Sequence, residues 1–385
     1  MTTFLFFADD WGRHPSSAQY LARELARSYQ VLWINTVGMR KPAFDLYTCR
    51  RALDKFRDWI IQPHKVSPSE LKLRVLDPFL IPDWRSLAIR RLNSRFISLS
   101  LERYLQSTMP PLIGVTAIPL PPYWLDSVPV RAWVYYCVDN FTDWPSLDGR
   151  TLRDCESATI ARARLLIAAS SRLQCHIHTY GRTARLLTHG IDLDIWLRSA
   201  PNEHITHHLS IQKPAVIWWG LIDKRLDWSW ILSAASELPD VTFVLLGPIQ
   251  YKPDSLSRYK NIVVPGQVPV HYLPTIAKHA DVLIMPYADN EVTRAMQPLK
   301  LLEYLATGKP IVARCLPALK RWDYFLHLCD TAEEFTSLLA SLIERPPSHD
   351  QLKTRLHLLS QESWQAKAKL FLEWLDDLGL LAASK

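Results

Sequence analysis

Glycine is scarce in this 385-residue chain, with 11 occurrences, and no Gly-x-Gly-x-x-Gly run follows the first strand-like segment. That absence excludes the phosphate-binding fingerprint of nicotinamide and flavin dehydrogenases from the place where it would have to stand. The six cysteines (Cys49, Cys137, Cys155, Cys175, Cys315, Cys329) include no close pair at metal or disulfide spacing, and no secretory signal is evident. A reducing cytoplasm is the expected setting. Phe4–Ala8 is too short for a signal core, and no run approaches the roughly 18 apolar residues of a spanning helix, so the chain is not expected to cross a membrane. His204, His207 and His208 lie in a hydrophilic stretch without a carboxylate shell, and no metal site is expected there.

What is present is aromatic, proline-rich and unevenly charged. The chain exceeds the about 250 to 300 residues at which single cores stop growing, so two domains are expected. Fifteen tryptophans and 27 prolines imply many aromatic contacts and stiff loops. Of the net charge of +7, residues 1–198 carry roughly 26 Lys and Arg against 18 Asp and Glu, and the remainder is near −1. A basic first half can attract a phosphorylated substrate, anionic lipid or nucleic acid, and charge alone does not choose among them. Residues 38–106, the least regular part, alternate cations with large apolar side chains, as in Lys55-Phe56-Arg57-Asp58-Trp59-Ile60-Ile61 and around Arg90, Arg91, Arg95 and Phe96. Helices of this kind either pack an apolar stripe on the domain core or rest in an anionic membrane interface. Nucleic acid is not expected, because the basic residues interleave with apolar stripes rather than forming a stacking platform.

Strand-like and helix-like segments alternate along the chain, which predicts an α/β fold of two doubly wound, Rossmann-like halves. Phe4–Ala8, a loop from Asp9 to Pro15, a helix opening at Ser16 or Ser17 and a strand Val31–Ile34 form a β-α-β start. Ligands of such sheets sit beyond strand carboxyl ends, so this loop, with Asp10, Trp11, Arg13 and His14, is placed to touch one. Asp139 follows the apolar run Ala132–Val138 and is a candidate general base, or else a cap for the next loop with Asn140. Leu186–Asp192 reads as the last strand and turn of the first half. After a polar stretch at 197–213, a second series begins with Ala215–Trp219, Val241–Leu246 and Ile262–Val264.

The chain is organised around residues 282–313, which read as strand, loop, helix, tight turn and strand. Pro298 suits the first helical turn, Leu301, Leu302, Leu305 and Ala306 recur at helical spacing, and Gly308 fits a left-handed cap before Pro310. Lys300 and Glu303 share one face near the helix start, where backbone N–H groups and the helix dipole favour an anion. Spacing alone leaves them equally a diphosphate and ribose site or a solvated ion pair.

The surrounding phrases resemble the GT-B glycosyltransferases, in particular the donor half of bacterial group 1 and related exopolysaccharide members. They are His189-Gly-Ile-Asp192, Phe243-Val-Leu-Leu-Gly247, Pro265-Gly266-Gln-Val-Pro269, Ala280-Asp281-Val282, Pro286-Tyr287 and, above all, Pro298-Leu-Lys-Leu-Leu-Glu-Tyr-Leu-Ala-Thr-Gly-Lys-Pro310. The resemblance covers nearly all of 186–313 and, more loosely, Tyr135–Asp139 and the Asp10-Trp11 loop. It implies two Rossmann-like domains facing across a cleft: an acceptor domain at 1–198, with the C-terminal helix 360–381 packing back on it, and a nucleotide-sugar domain at 199–359. By the same resemblance Glu303 holds the ribose, Lys300 faces the diphosphate, Pro298 and Leu299 open the donor helix, and Tyr287 lies near the base. Gly220, Lys224 and Arg225 approach the phosphates, and His189 faces the donor sugar. Asp139 acts toward an acceptor held near Asp10, Trp11, Arg13 and His14. No cofactor or metal is implied; the partners are a nucleotide sugar and a saccharide or polyprenyl-linked acceptor, with peripheral contact to an anionic inner membrane face. One departure stands out: many retaining members have a second glutamate eight positions before the ribose-binding one, and here that position is Ala295. The rivals are an epimerase of the same fold, which needs no acceptor, and a catalytically silent subunit of a polysaccharide assembly complex.

Overall fold

The computed structural model describes residues 2–12, 16–36, 64–66, 72–104, 111–143, 148–198, 200, 204, 207, 209–296, 300–346 and 352–381. They form two compact units, Met1–His189 with Trp364–Lys385, and Gly190–Ser363.

In the first unit, β1 (Thr3–Ala8), β2 (Gln30–Asn35), β3 (His64–Val66), β4 (Leu73–Leu76), β5 (Leu112–Thr116), β6 (Ala132–Cys137), β7 (Ala163–Ala168) and β8 (Arg185–Leu186) form one sheet. The order is β3-β4-β2-β1-β5-β6-β7-β8. Only the β3–β4 pairing at one edge is antiparallel. β1 and β6 are buried along their whole length, as central strands covered on both faces must be, which is why their sequences are continuous apolar runs. Helix α1 (Ser17–Ala26) starts where the Ser16 side chain accepts from the Gln19 N–H, and it buries Leu21, Ala22 and Leu25. Helices α2 (Leu87–Tyr104), α3 (Gly149–Arg162) and α4 (Ser171–His178) follow. The C-terminal helix Trp364–Asp377 places Phe371 and Leu375 in the core that holds Phe4 and Phe6. Trp364 stacks on Tyr20 at 5.3 Å, and the Lys367 ammonium donates to Thr188 Oγ1 at 2.8 Å.

In the second unit, β9 (Ala215–Trp219), β10 (Thr242–Leu246), β11 (Ile262–Gly266), β12 (Val282–Met285), β13 (Ile311–Arg314) and β14 (His327–Cys329) pair in parallel in the order β11-β10-β9-β12-β13-β14. The chain leaves β9 first to one side and then, from β12, to the other. The crevice beyond the carboxyl ends of β9 and β12 is therefore the topological switch point, where ligands of such sheets bind. Helices α5 (Leu193–Arg198), α6 (Trp228–Glu237), α7 (Glu291–Ala295) and α8 (Lys300–Thr307) belong to this unit.

The structure departs from sequence patterning at a few places. The unit boundary lies at 189/190 rather than 198/199, because Ile191 already bridges Ser363 and Trp196 of α5 stacks on Trp219 at 5.6 Å. The expected strand at Leu186 is two residues long. Residues 38–106 contain β3 and β4, which their pattern does not announce, and β14 is likewise a three-residue edge strand. Among the described residues no helix is long and apolar enough to cross a membrane, and no cluster of His, Cys, Asp or Glu could hold a metal ion.

Candidate functional site

The switch point of the second unit is built from two glycine turns. Gly220 follows β9 with φ +145° and Gly247 follows β10 with φ +141°, a region open to glycine and strained for other residues. A Cβ on Gly247 would run into the Gly220 carbonyl, and a Cβ on Gly220 would collide with the Lys300 ammonium. The Gly220 N–H donates to Leu246 O and the Gly247 N–H to Gly266 O, each at 2.8 Å. Backbone thus approaches the lysine where any side chain would stand in the way.

Lys300, the first residue of α8, is half-buried, with its ammonium 4.0 Å from the centroid of the Trp218 ring and 5.3 Å from that of Tyr287. Burial takes its pKa down to about 7, with the Arg225 charge adding to the effect and the carboxylates of Glu303 and Asp223 opposing it. One turn on, Glu303 Oε2 accepts from Trp219 Nε1–H at 2.8 Å. Burial raises the Glu303 pKa, while this hydrogen bond and Lys300 pull it down. The reading of Lys300 and Glu303 as a solvated surface pair therefore does not hold: the two turn toward different aromatic partners at the end of β9. Tyr287, 4 % exposed, is tied to the preceding loop by a bridge to Leu226 and by the Ala288 N–H donating to Arg225 O at 2.8 Å. The two adjacent cations part company. Arg225 is half-buried and its guanidinium donates to the Asp223 carboxylate at 2.8 Å. Lys224 is exposed, and its ammonium sits 5.7 Å from the Tyr251 ring.

Pro298 and Leu299 lie outside the described residues, as do Arg13 and His14 of the first unit. Ala295 is the last residue of α7, and Glu291, four residues upstream, is exposed on its first turn. Local sequence pattern gives no role to Trp218, Trp219, Asp223 or Gly247; their one signal is a paired tryptophan immediately before the loop glycine.

In the first unit the loop after β1 is held by side chains. The Trp11 N–H donates to Asn35 Oδ1 at 2.8 Å, Gln19 Nε2 donates to the Asp10 carbonyl at 3.5 Å, and the Trp11 ring packs edge-on against Trp33 at 4.9 Å. β1 lies between β2 and β5, so Asp10 and Trp11 stand at this sheet's own switch point. Asp139 lies two residues past β6, half-buried, with Oδ1 accepting from the Asn140 N–H at 2.8 Å. Capping of the next turn falls to Asn140, whose Oδ1 accepts from Thr142 Oγ1–H at 2.7 Å. His189 Nδ1 lies 2.5 Å from Ser17 Oγ. Burial, with Lys367 adding to it, takes the imidazole pKa down to about 4, so the ring is neutral at physiological pH.

Residues 213–345, wholly inside the second unit, match the family model "Glycosyl transferases group 1". The Bacillus subtilis protein TuaH, named as a teichuronic acid biosynthesis glycosyltransferase, is 29% identical over 180 residues. The match spans 44% of this chain and 45% of that relative, less than half of each. Among solved structures, sucrose-phosphate synthase from Thermosynechococcus elongatus superposes with a TM-score of 0.65 at 14% identity, covering 98% of this chain and 99% of that one. Anabaena HepE, solved in complex with UDP and glucose, gives 0.62 at 14%, covering 97% and 99%. An Escherichia coli trehalose-6-phosphate protein bound with UDP-2-fluoro glucose gives 0.60 at 11%, covering 97% and 98%. These identities speak to fold alone. The second unit thus matches the group 1 glycosyltransferase family model, and both parallel sheets share the two-domain α/β fold of these solved structures over nearly the whole chain.

Proposed function

We propose that the protein is a glycosyltransferase that takes a sugar from a nucleotide diphosphate sugar held by the second unit and passes it to a saccharide acceptor in polysaccharide assembly. The observation carrying this reading is the half-buried pair Lys300 and Glu303 at the β9–β12 switch point, beside Gly220, whose missing side chain leaves room for the Lys300 ammonium at the end of β9. The main chemical problem is charge on the leaving diphosphate. Lys300, with Arg225 next to it and the start of α8, supplies preorganised positive potential, so the reaction proceeds without a metal ion. Glu303 accepts from the ribose hydroxyls. The uridine complexes of the structural neighbours favour a UDP-sugar as donor. Asp139 takes the acceptor proton if configuration inverts, and orients the acceptor if it is retained; Ala295 in place of a second glutamate favours inversion. The Asp10-Trp11 loop contacts the acceptor, and His189, neutral at physiological pH, is a further hydrogen-bonding group of the first unit.

A polyprenyl-linked acceptor would bring the protein to an anionic membrane face. α2 supports this, since it buries Ile97 and Leu101 yet leaves Leu87, Leu92 and Leu99 exposed beside Arg91 and Arg95. Failure to float with anionic liposomes at moderate salt would count against the membrane part alone.

The reading is tested by a thermal-shift panel of nucleotides and nucleotide sugars. A ligand at 100 times its dissociation constant adds about 2.7 kcal/mol, and silence across the panel would remove the donor site. Lys300→Ala is expected to abolish the shift. Ala295 also favours a second reading, a silent subunit; that reading expects donor binding with no turnover on any acceptor.

A further inference from the structure

Glu303 does not face its site with both oxygens free. Oε2 is engaged by Trp219 Nε1–H at 2.8 Å. The indole that makes this bond is itself immobile. It is 4 % exposed, stacks on Trp196 at 5.6 Å with ring planes 14° apart, and meets the Tyr304 ring edge-on at 4.3 Å. Its backbone N–H donates to Tyr304 Oη at 3.2 Å, which fixes the end of β9 against α8. Glu303 remains half-buried, so its carboxylate still reaches solvent on one side. A carboxylate on a side chain with three rotatable bonds has no fixed orientation of its own. A charge-assisted hydrogen bond from a locked donor to one oxygen sets the carboxylate plane and leaves the other oxygen as the outward acceptor.

We propose that Trp219 is a positioning residue for ribose recognition: by holding Oε2, it turns Oε1 toward the nucleotide and makes Glu303 discriminate ribose from deoxyribose. This rests on the donor-site reading above. A ribose hydroxyl donates to Oε1 in the bound state, and an analogue lacking it leaves a partly desolvated oxygen without that donor. A site built to hydrogen-bond a hydroxyl rejects the analogue without it far more strongly than an apolar pocket rejects a missing methylene. Trp219→Phe keeps an aromatic ring between Trp196 and Tyr304 and removes only the donor and the second ring. Glu303 then rotates freely and reads the sugar poorly.

The test measures dissociation constants for UDP, 2′-deoxy-UDP and 3′-deoxy-UDP by calorimetry, with the full chain and its variants. The native protein is expected to prefer UDP to at least one deoxy analogue by about tenfold or more, the scale of one hydrogen bond to a charged group. Trp219→Phe is expected to lose most of that ratio through weaker UDP binding, with affinity for the disfavoured analogue nearly unchanged. A general loosening of the site would weaken all three ligands together and leave the ratio intact, and that result overturns the proposal. Glu303→Gln supplies the second measurement. With Trp219 present, the indole N–H holds the amide oxygen and aims the amide NH2 outward, where a ribose hydroxyl can only accept from a neutral donor, so the ribose preference falls. Adding Trp219→Phe frees the amide to present its oxygen and restores part of the preference. Glu303→Gln alone keeps the Trp219 ring, so an undiminished ribose preference in that variant overturns the proposal even where Trp219→Phe folds poorly, and a folded double variant without restoration overturns it as well. If the native protein binds UDP and shows no sugar preference, the inference fails and the donor site stands. If it binds no nucleoside diphosphate at all, both fall.

Discussion

Lys300 is a cation that its own surroundings partly neutralise. With a pKa near 7 it is mostly ammonium below that pH and mostly amine above it. A bound diphosphate stabilises the ammonium and raises the pKa, so at high pH binding must take up a proton and at low pH it need not. UDP-glucose affinity is therefore expected to be flat below about pH 6.5 and to fall by up to about tenfold per pH unit above 7. UDP-glucose serves better than UDP here because it lacks a terminal phosphate that titrates in the same range. Calorimetry at pH 8.5 in two buffers of different ionisation enthalpy should give an uptake near one proton, absent in Lys300→Met; zero uptake in the native protein would refute the linkage. The adjacent glycines make a paired prediction. Gly247→Ala drives a methyl into the Gly220 carbonyl from a φ of +141°, and is expected to destabilise the second unit by about 1–3 kcal/mol in urea melts. Gly220→Ala meets the flexible end of Lys300 instead, and its loss should show in donor affinity as well as stability.

At the scale of elements, α6 and β13 are joined through one buried ion pair. Asp227 caps α6 by accepting from the Ser229 N–H at 3.2 Å, and its other oxygen accepts from Arg314 at 2.5 Å. Arg314, the last residue of β13, is 9 % exposed and lies 3.8 Å over the Trp230 ring of α6. Asp227→Ala removes a cap and strands a buried guanidinium, at an expected cost of about 3–5 kcal/mol. Arg314→Met leaves the cap in place and buries no charge, so it should cost far less; equal losses in chemical denaturation would contradict this account. The same scale separates what sequence could reveal from what it could not. β1, β6, β9, β10 and β12 were legible because a strand covered on both faces must be a continuous apolar run. β3 and β14 were not, since three residues at a sheet edge carry too little pattern. Lys300, Glu303, Tyr287 and Gly220 were legible as a group through the family phrases around them. The Trp219–Glu303 bond was not, because it joins residues 84 apart and no local spacing encodes it.

At the scale of the molecule, the chain leaves the first unit at His189 and returns to it at Trp364. The returning helix is a structural part of that unit: Phe371 and Leu375 are fully buried, and Phe371 meets Phe4 at 6.1 Å beneath the first strand. Nothing in the helix's own pattern names its partner. Its amphipathic face would suit either unit, and the choice is made by complementary rings on α1 and β1. Burial of Trp364, Phe371 and Leu375 stabilises by about 1.5–3 kcal/mol each, so about 5–9 kcal/mol together. That is comparable with the whole stability of a typical domain, about 5–15 kcal/mol. A chain ending at Ser363 is therefore expected to lose the first unit's thermal transition while keeping the second unit's, whose cluster draws on no residue beyond Leu359. Calorimetry should show two transitions in the full chain and one in the shortened chain. The remaining transition should still rise with UDP-glucose, because Lys300, Glu303, Trp219 and both glycines lie within Gly190–Ser363. A shortened chain with both transitions intact would show that the first unit does not depend on the helix. One that melts without any response to UDP-glucose, while the full chain responds, would show that donor binding needs more than the second unit's own residues.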